Sequence, residues 1–343
     1  MSVLHWQHID DQVVSRVAEA FGLGRVNTVA YLTTGLMNRN WRITTAAGTF
    51  ALKQIVDVPI AVARRNLRIA GALAQVGLPA CAPVFTIDRD PVFELGEHGY
   101  CVLPWHDGDH MQGPDLTVSQ AHHLGAMVGN IHDRLNSLAP SIGLSPATSR
   151  CARPVTPPHV AIEDTHRYRG AARAAGGPFD HAVIDLLDRR VALIQTYAAD
   201  RPTTEDAVGP CGWTHGDLQY RNIIWRYGQI GAVIDWDRIR IRPFAEEIVR
   251  TATIQFATPD GLDLHRVTAF VTGYRTAVPI DNAALADGVH RLWWTRVSNF
   301  WHLVYHYDRD DHGCDDLLLS GEALLHWWTA HRSDVCDAFT ATS

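Results

Sequence analysis

The chain has 343 residues, of which 46% are hydrophobic and 20% are charged, and its formal net charge is −7. That length is sufficient for one large domain or two lobes with a sizeable core, and the proportions are typical of a globular enzyme. The negative charge disfavours nucleic acid as a partner, and no apolar run is long enough to span a bilayer.

The first 103 residues predict a small lobe of about five strands, with a helix inserted after the third strand. Asp10–Phe21 has the apolar spacing of a short amphipathic helix that precedes the strands. Alternating apolar residues and turn residues mark the strands. The predicted strands are Val29–Leu32, Trp41–Thr45, Phe50–Ile55, Val92–Leu95 and Tyr100–Leu103, and the inserted helix is Val62–Val76.

Helices dominate the predicted structure beyond residue 103. Pro104–His110 is polar and rich in turn residues, so we place a hinge at about 103–108. The predicted domains are therefore 1–103 and 104–343. Pro140–Pro158 has the composition of a long loop. Helices are predicted at Thr117–Leu135, at about Phe179–Ala198 and from Phe244 to the end, with a break at Tyr307–Asp316.

The stretch from Trp213 to Asp237 is the most informative part of the sequence. Asp217 is followed five positions later by Asn222, and Asp235 closes a second apolar strand. This spacing matches the catalytic loop and the metal-binding segment of the kinase signature. We predict that Asp217 accepts the proton of an acceptor hydroxyl and that Asn222 and Asp235 bind Mg²⁺. His215 is expected to support the loop rather than to act as a base.

Lys53 is the only lysine among the 30 lysine and arginine residues of the chain. It lies within a predicted strand upstream of the catalytic stretch. A compact ammonium on a flexible stem differs from a planar guanidinium in size and reach, so this position is a candidate for a role that arginine cannot fill. The alternative is a surface lysine that persists by chance.

Together these motifs resemble those of the aminoglycoside phosphotransferase and choline kinase family, the small-molecule relatives of protein kinases. The resemblance rests on His215-Gly216-Asp217 with Asn222 and on Ile234-Asp235-Trp236-Asp237, and it extends from about Val29 to Tyr274. It implies an α+β, two-lobed protein-kinase-like fold with ATP or GTP between the lobes. It also implies that Asp217 is the catalytic base, that Lys53 binds the nucleotide phosphates and that Mg²⁺ binds to Asn222 and Asp235. Glycine in place of arginine at Gly216 favours a small-molecule acceptor.

The sequence departs from the kinase pattern in two places. The loop Gly35–Asn40 lacks a full G-x-G-x-x-G, and the helix Val62–Val76 contains no acidic residue to pair with Lys53. Asn66 lies about where that glutamate is expected, so Lys53 would make a neutral hydrogen bond there or pair with Asp235. The residues predicted to bind nucleotide are Lys53, Gly35, Asn38, Asn40, Leu103, Asn222 and Asp235. For the two asparagines of the loop, turn stabilisation is the alternative.

The substrate-binding residues are predicted to include Asp237, Arg221, Trp301 and Asp308. Trp301 belongs to an aromatic-rich segment whose side chains would pack in the core or form a stacking wall for a sugar or base. Asp308 begins the acidic run to Asp316, which would be a solvated loop or would attract an amine-bearing substrate.

The six cysteines are scattered along the chain and form no C-x-x-C pair. This pattern predicts reduced thiols rather than a disulfide framework or a zinc site. The first residues lack the basic and apolar segments of a signal peptide. We therefore expect a cytoplasmic protein, monomeric or homodimeric, that contacts neither a membrane nor nucleic acid.

Three functions are compatible with the sequence. The first is a resistance-type kinase that phosphorylates a hydroxyl of an antibiotic with Mg²⁺ and ATP or GTP. The second is a metabolic kinase for a sugar, an amino alcohol or a homoserine-like metabolite. The third is a catalytically inactive kinase-like binding protein. The intact Asp217, Asn222, Asp235 and Lys53 argue against the third, and the catalytic motif does not distinguish the first two.

Overall fold

The N-terminal part of the protein contains a five-stranded antiparallel sheet and two helices. The computed structural model describes residues 8–33, 38–146 and 150–341. The N-terminal elements are α1 Asp11–Ala20, β1 Val26–Tyr31, β2 Arg39–Thr45, β3 Gly48–Ile55, α2 Ile60–Gln75, β4 Phe93–Leu95 and β5 His98–Pro104. Their order in the sheet is β1-β2-β3-β5-β4, which confirms the predicted strands with a helix after the third.

Each face of the sheet packs against one of the two helices. Alternate residues of a strand lie on opposite faces, so Leu52 and Ile55 of β3 belong to different core clusters. The cluster that includes Leu52 also contains α1 residues such as Val17. The cluster that includes Ile55 also contains Leu67 of α2. By the same alternation, Lys53 lies on the α2 face, opposite Asn40 in β2 and Cys101 in β5.

The rest of the described chain, residues 105–146 and 150–341, is mainly helical, with a two-stranded hairpin and four further short strands. Its helices are α3 Val118–Leu138, α4 Pro158–Ala175, α5 Pro178–Thr196, α6 Phe244–Gln255, α7 Leu264–Arg275, α8 Asn282–Ser298, α9 Trp301–Leu303, α10 Asp315–Ala330 and α11 Arg332–Thr340. Its strands are β6 Cys211–Thr214, β7 Ile223–Arg226, β8 Gln229–Val233, β9 Arg240–Pro243, β10 Ala257–Thr258 and β11 Gly261–Leu262. A π-helical turn, Val304–Asp308, follows α9.

The chain divides by its contacts into two compact units. The first consists of residues 1–111, 130–146 and 213–240, and the second of residues 112–129, 147–212 and 241–343. The catalytic stretch thus belongs to the same unit as the five-stranded sheet. Each unit thus consists of three separate segments, whereas the predicted boundary at 103–108 divides the sequence at a single place. That boundary remains a prediction.

The second unit has a core rich in aromatic side chains. Trp293 and Trp294 of α8 are each 1% exposed, so they pack in the core, which is one of the two alternatives for the aromatic segment. Their indole nitrogens donate hydrogen bonds to Thr329 Oγ1 and to the main-chain oxygen of Thr156, both at 3.0 Å. These bonds satisfy polar groups that would otherwise be costly to bury.

All six cysteines are free thiols, and five of them are buried. Within the part of the chain that the structure describes, we find no helix whose length and apolar character would let it cross a bilayer.

Candidate active site

A hairpin of β7 and β8 carries the site, and both of its outer edges are paired. Asp109 and Trp225 exchange two main-chain hydrogen bonds of 2.9 Å on the β7 side. Ala80 forms a parallel bridge with Val233 on the β8 side. Each strand of the hairpin therefore has a neighbour on its outer edge. The segment before β7 and the segment after β8 lie at the same end of the hairpin, and this pairing holds both in place.

His215 connects these two segments. Its ring is fully buried, and Nε2 donates to the main-chain oxygen of Ile234 at 3.1 Å. Nδ1 accepts a hydrogen bond from the main-chain N–H of Asp217 at 3.3 Å. The ring therefore holds the residue before Asp235 and the Asp217 main chain together, which is the supporting role that the sequence predicted.

Gly216 occupies a position that no other residue fits. Its φ of +84° lies in the left-handed region, and a Cβ built there would lie 1.9 Å from the main-chain oxygen of Arg238. The Arg238 side chain in turn donates two hydrogen bonds of 2.8 and 2.9 Å to the Asp57 carboxylate. The glycine thus permits a close approach between the loop that carries Asp217 and the segment after Asp235.

Asn222 supports the Asp217 loop with one end of its side-chain amide. Its Nδ2 donates to the main-chain oxygen of Asp217 at 2.8 Å, and its own main-chain oxygen accepts from the N–H of Ile234 at 2.9 Å. Among the described residues, Oδ1 of this amide has no protein hydrogen-bond partner. This oxygen is the atom that a metal ion would use.

Asp235 has a main-chain conformation that is rare for a residue with a side chain. Its φ of +62° and ψ of +58° lie in the left-handed region, where aspartate is tolerated better than most residues. The side chain is 38% exposed, and Oδ1 accepts a hydrogen bond of 2.7 Å from Lys53 Nζ. Asp235 and Asn222 thus provide two hard oxygen donors, which fit Mg²⁺ with water and phosphate oxygens as its other ligands.

Lys53 is buried, which rejects the alternative of a surface lysine. Its Nζ lies 2.7 Å from Asp235 Oδ1 and 2.6 Å from Asp237 Oδ2. Burial alone would lower the pKa of Lys53, but the two carboxylates outweigh it and raise the pKa above its ordinary value. Lys53 is therefore charged throughout the physiological range.

The two aspartates respond to Lys53 differently. Burial would raise the pKa of Asp235, but Lys53 outweighs it and the pKa is lowered. The Asp237 side chain is only 8% exposed, and this burial, with the repulsion of Asp235, raises its pKa despite Lys53. The sequence predicted Asp235 as a partner of Lys53, but it did not predict Asp237, which was assigned to the substrate. No contact tests that substrate assignment, and the contacts of Asp237 favour a role in positioning Lys53.

Asn66 lies on α2 and contacts the segment around Asp237 through an uncharged side-chain amide. Its Nδ2 donates to the main-chain oxygen of Asp237 at 2.7 Å, and its Oδ1 accepts from Nε of Arg65 at 3.0 Å. Asn66 is 1% exposed. It therefore makes a neutral contact at the expected place, but with the main chain after Asp235 rather than with Lys53.

Asn38 joins three parts of the first unit. Its Nδ2 donates to Asp237 Oδ2 at 2.8 Å, and its Oδ1 accepts from the main-chain N–H groups of Val56 and Asp57 at 2.9 and 3.1 Å. Asn40 donates through Nδ2 to the main-chain oxygen of Asn38 at 3.3 Å. These contacts favour the structural alternative for Asn38. Phosphate binding by both asparagines stays a prediction, and Gly35 lies outside the described residues.

Two other predicted ligand-binding residues have contacts that do not involve Lys53 or the two aspartates. Leu103 is in β5, opposite Ala51 of β3. The Arg221 guanidinium lies over the Tyr220 ring, and its Nε donates to the Tyr220 hydroxyl at 3.1 Å. Both residues belong to the first unit, and their roles in nucleotide and substrate binding remain predictions.

Trp301 and Asp308 belong to the second unit. Trp301 is 39% exposed and stacks on His302, with ring centroids 3.8 Å apart. Asp308 accepts hydrogen bonds from Arg167 Nη2 at 2.7 Å and from the Tyr168 hydroxyl at 3.1 Å. Burial and this carboxylate raise the pKa of Tyr168 to about 12. Asp308 is therefore already paired within its own unit, whereas Trp301 has an exposed surface.

Comparison with known proteins gives one family match. The sequence model of the phosphotransferase enzyme family matches residues 28–279, which is more than two thirds of the chain. No curated protein sequence matches the chain.

Solved structures with the same fold include kinases for different small molecules. Spectinomycin phosphotransferase in complex with ADP and spectinomycin is 15% identical, with 93% of this chain and 95% of that chain covered and a TM-score of 0.60. Amicoumacin kinase in complex with AMP-PNP and Ca²⁺ is 15% identical, with 94% of each chain covered and a TM-score of 0.61. Choline kinase from Cryptosporidium parvum is 10% identical, with 95% and 98% covered and a TM-score of 0.56. These similarities establish the kinase-like α+β fold.

Proposed function

Because the chain belongs to the phosphotransferase enzyme family, we propose that it transfers the terminal phosphoryl group of ATP or GTP to a hydroxyl of a small molecule. The observation that carries this proposal is the arrangement around His215. One buried ring holds the Asp217 loop against the residue before Asp235, and Asp235 is in turn paired with Lys53. The residues to which we assign the proton acceptor, the two metal ligands and the phosphate-binding cation thus belong to one unit.

Each of these residues has a separate task in the proposed reaction. Asp217 orients the acceptor hydroxyl and takes its proton. Lys53 binds phosphate oxygens, and the carboxylates of Asp235 and Asp237 hold its ammonium in place before the nucleotide arrives. Asn222 and Asp235 would hold Mg²⁺, which would neutralise charge on the phosphate oxygens. Most of the catalytic effect would then come from positioning and electrostatics.

The first candidate for the acceptor is an antibiotic. Two of the proteins with this fold are a spectinomycin phosphotransferase and an amicoumacin kinase, which supports a resistance-type enzyme. The second candidate is a metabolite such as an amino alcohol, and the choline kinase similarity supports it. The ion pair between Lys53 and Asp235 and the presence of Asp217 and Asn222 argue against the inactive binding protein.

The proposal also places the enzyme in the cytoplasm, as a monomer or homodimer. The six free thiols are compatible with a reducing compartment. ATP and GTP are available there.

The central experiment replaces the proposed base. Asp217→Asn keeps the size of the side chain and removes the proton acceptor, so we expect kcat to fall by about 10²–10⁴-fold. Nucleotide affinity, measured by calorimetry, should change little. Asp88→Asn, at an exposed position of the same unit, is the matched control and should retain full activity. Wild-type turnover by Asp217→Asn would reject the mechanism.

The acceptor and the metal are determined in the same assay. Turnover of ATP and GTP is measured with a panel of antibiotics and amino alcohols, before and after removal of divalent cations with EDTA. We expect activity to disappear with EDTA and to return with Mg²⁺. In Asn222→Ala the Mg²⁺ concentration for half-maximal activity should rise at least about tenfold, since one of two protein oxygen donors is lost. Activity that persists in EDTA would exclude the proposed metal site.

A further inference from the structure

Two histidines and an aspartate converge in the second unit. His306 lies in the π-helical turn after α9, Asp315 is the first residue of α10, and His312 lies between them. His306 Nδ1 lies 2.9 Å from Asp315 Oδ1 and 3.0 Å from His312 Nδ1. His312 Nδ1 lies 3.6 Å from Asp315 Oδ2. Each of the three side chains thus offers one ligand atom, and these atoms all lie within 4.8 Å of one another.

The far nitrogen of each imidazole faces a different carboxylate. His312 Nε2 lies 3.4 Å from Asp310 Oδ1, and His306 Nε2 lies 3.9 Å from Asp180 Oδ1. Both carboxylates are near enough to attract the proton of the far nitrogen, which would leave Nδ1 available to bind a metal. With the ring protons at Nε2, both Nδ1 lone pairs point at the Asp315 carboxylate. Three electron-rich atoms at these distances repel one another unless a cation lies between them.

The separations match those of a metal coordination sphere. Asp315 Oδ2 lies 3.0 Å from His306 Nδ1 and 3.6 Å from His312 Nδ1, and the two Nδ1 atoms are 3.0 Å apart. Zn²⁺ binds histidine nitrogen and carboxylate oxygen at about 2.0–2.2 Å, so neighbouring ligands of a tetrahedral site are about 3.3 Å apart. A shared proton could bridge one pair of these atoms, but only a metal ion contacts all three. Two imidazoles and one carboxylate are a typical donor set for Zn²⁺ and related transition metals.

The surroundings hold His306 in place and leave His312 accessible. The His306 ring stacks on Phe179, with centroids 4.4 Å apart, and the neighbouring Tyr307 hydroxyl donates to Asp180 Oδ1 at 2.6 Å. The His312 side chain is 55% exposed, whereas that of His306 is 11% exposed. The site is therefore partly preformed, with an open side through which an ion and a water ligand can enter.

We propose that His306, His312 and Asp315 bind Zn²⁺ or a transition-metal ion of similar preference. The ion ties the π-helical turn to the start of α10 and fixes the acidic run that begins at Asp308. Metal binding is therefore a third role for this run, in addition to the two sequence-based alternatives of a solvated loop and a loop that attracts an amine-bearing substrate. The site does not depend on the proposed phosphoryl transfer, and it differs from the Mg²⁺ site in its nitrogen donors.

The test uses the full chain after removal of metals with a chelator. Co²⁺ and Zn²⁺ are titrated in excess Mg²⁺, which occupies hard oxygen sites, and binding is followed by calorimetry and by the visible absorption of Co²⁺. We expect one site per chain that Zn²⁺ takes from Co²⁺. His312→Ala and Asp315→Asn should each weaken this binding by at least about tenfold, because each removes one of three ligands.

The control is His166→Ala, which removes an exposed histidine from α4 of the same unit and should bind as the wild type does. His312 is mostly exposed, so its variant should fold even if a change at His306 does not. Equal affinity in the wild type and His312→Ala would overturn the proposal. The absence of a stoichiometric site in the wild type would also overturn it, since a shared proton would then explain the cluster.

Discussion

Asn66 donates a hydrogen bond of 2.7 Å to the main-chain oxygen of Asp237, and its place on α2 is about where the kinase pattern leads us to expect a glutamate. In a protein kinase the glutamate pairs with the strand lysine, so movement of the helix makes or breaks that ion pair. Here both carboxylates on Lys53 come from the segment Asp235–Asp237. The α2 helix instead supports the main chain of that segment. The ion pair is therefore preserved without any acidic residue on α2.

This relationship predicts that the neutral amide of Asn66 is required. In Asn66→Asp one carboxylate oxygen would keep Arg65 as a partner, but the other would face the main-chain oxygen of Asp237 in a buried place. Asn66→Ala instead leaves that main-chain oxygen without its donor and removes the side-chain acceptor of Arg65. We expect Asn66→Ala to lower the free energy of unfolding by about 1–3 kcal/mol and Asn66→Asp to lower it further at neutral pH. Urea denaturation measures both. An Asn66→Asp variant as stable as the wild type would contradict the assigned hydrogen bond.

Lys53→Arg should be severely impaired. The planar guanidinium is larger than the ammonium that fits between Asp235 Oδ1 and Asp237 Oδ2, so it cannot make both contacts and also reach the phosphates. We expect kcat/KM to fall about a hundredfold. Arg25→Lys, at an exposed position of the same unit, is the control for the exchange itself. Full activity in Lys53→Arg would show that any cation is sufficient.

Gly216→Ala tests the close approach of the catalytic loop to Arg238. The new Cβ would lie 1.9 Å from a main-chain oxygen, so the loop must move and Asp217 with it. Gly24→Ala is the matched control, because Gly24 has a φ of +73° and no atom within 4 Å of the built Cβ. We expect Gly24→Ala to lose stability only, by about 1 kcal/mol, and Gly216→Ala to lose both stability and turnover. Turnover is measured by steady-state kinetics and stability by denaturation. If the two variants changed both quantities equally, backbone strain alone would explain them, and the close approach to Arg238 would have no effect of its own.

The buried His302 leads us to expect that the stability of the protein falls in acid. Burial, helped by the nearby Arg296 and Arg190, lowers the pKa of His302 from 6.5 to about 4. Because the folded state resists protonation and the unfolded state does not, the stability contributed by neutral His302 is complete above pH 6.5 and is lost as the pH falls towards 4. The loss is up to about 3 kcal/mol.

His302→Gln should remove part of this pH dependence, since glutamine stays neutral throughout. The free energy of unfolding is measured by urea denaturation across the same pH range for the wild type, His302→Gln and His98→Gln, whose histidine is exposed. We expect a shallower decline only in His302→Gln. Parallel curves for all three proteins would mean that His302 protonates in the folded state as easily as in the unfolded state.

The sheet was predictable from its sequence, whereas one helix of the second unit was not. The alternation in Phe50–Ile55 predicted β3, which extends two residues further at its start. No pattern predicted α4, because the residues it buries are Ala161, Thr165, Tyr168 and Ala172. They have helical spacing but are small or carry a hydroxyl, so they give little hydrophobic periodicity.

The site shows a similar limit. The spacing of Asp217 and Asn222 and the isolation of Lys53 were visible in the sequence, and the structure brings Lys53 into contact with Asp235. The part played by Asp237 depends on the left-handed conformation of Asp235, which allows two aspartates two positions apart to face one ammonium. A main-chain dihedral angle of this kind leaves no signal in a single sequence, because aspartate is common in many other conformations.

The paired edges of the β7–β8 hairpin affect the order in which the protein can fold. The His110 ring nitrogen reaches the main-chain oxygen of Ile223 across a separation of 113 residues, next to the bridge between Asp109 and Trp225. Contacts that close such long stretches of chain form late and slow the folding of a domain. A peptide that contains only residues 213–240 would therefore carry the whole kinase motif and still lack the neighbours that give it its shape. The kinase motif is continuous in the sequence, but during folding it depends on contacts with residues that are synthesised long before it.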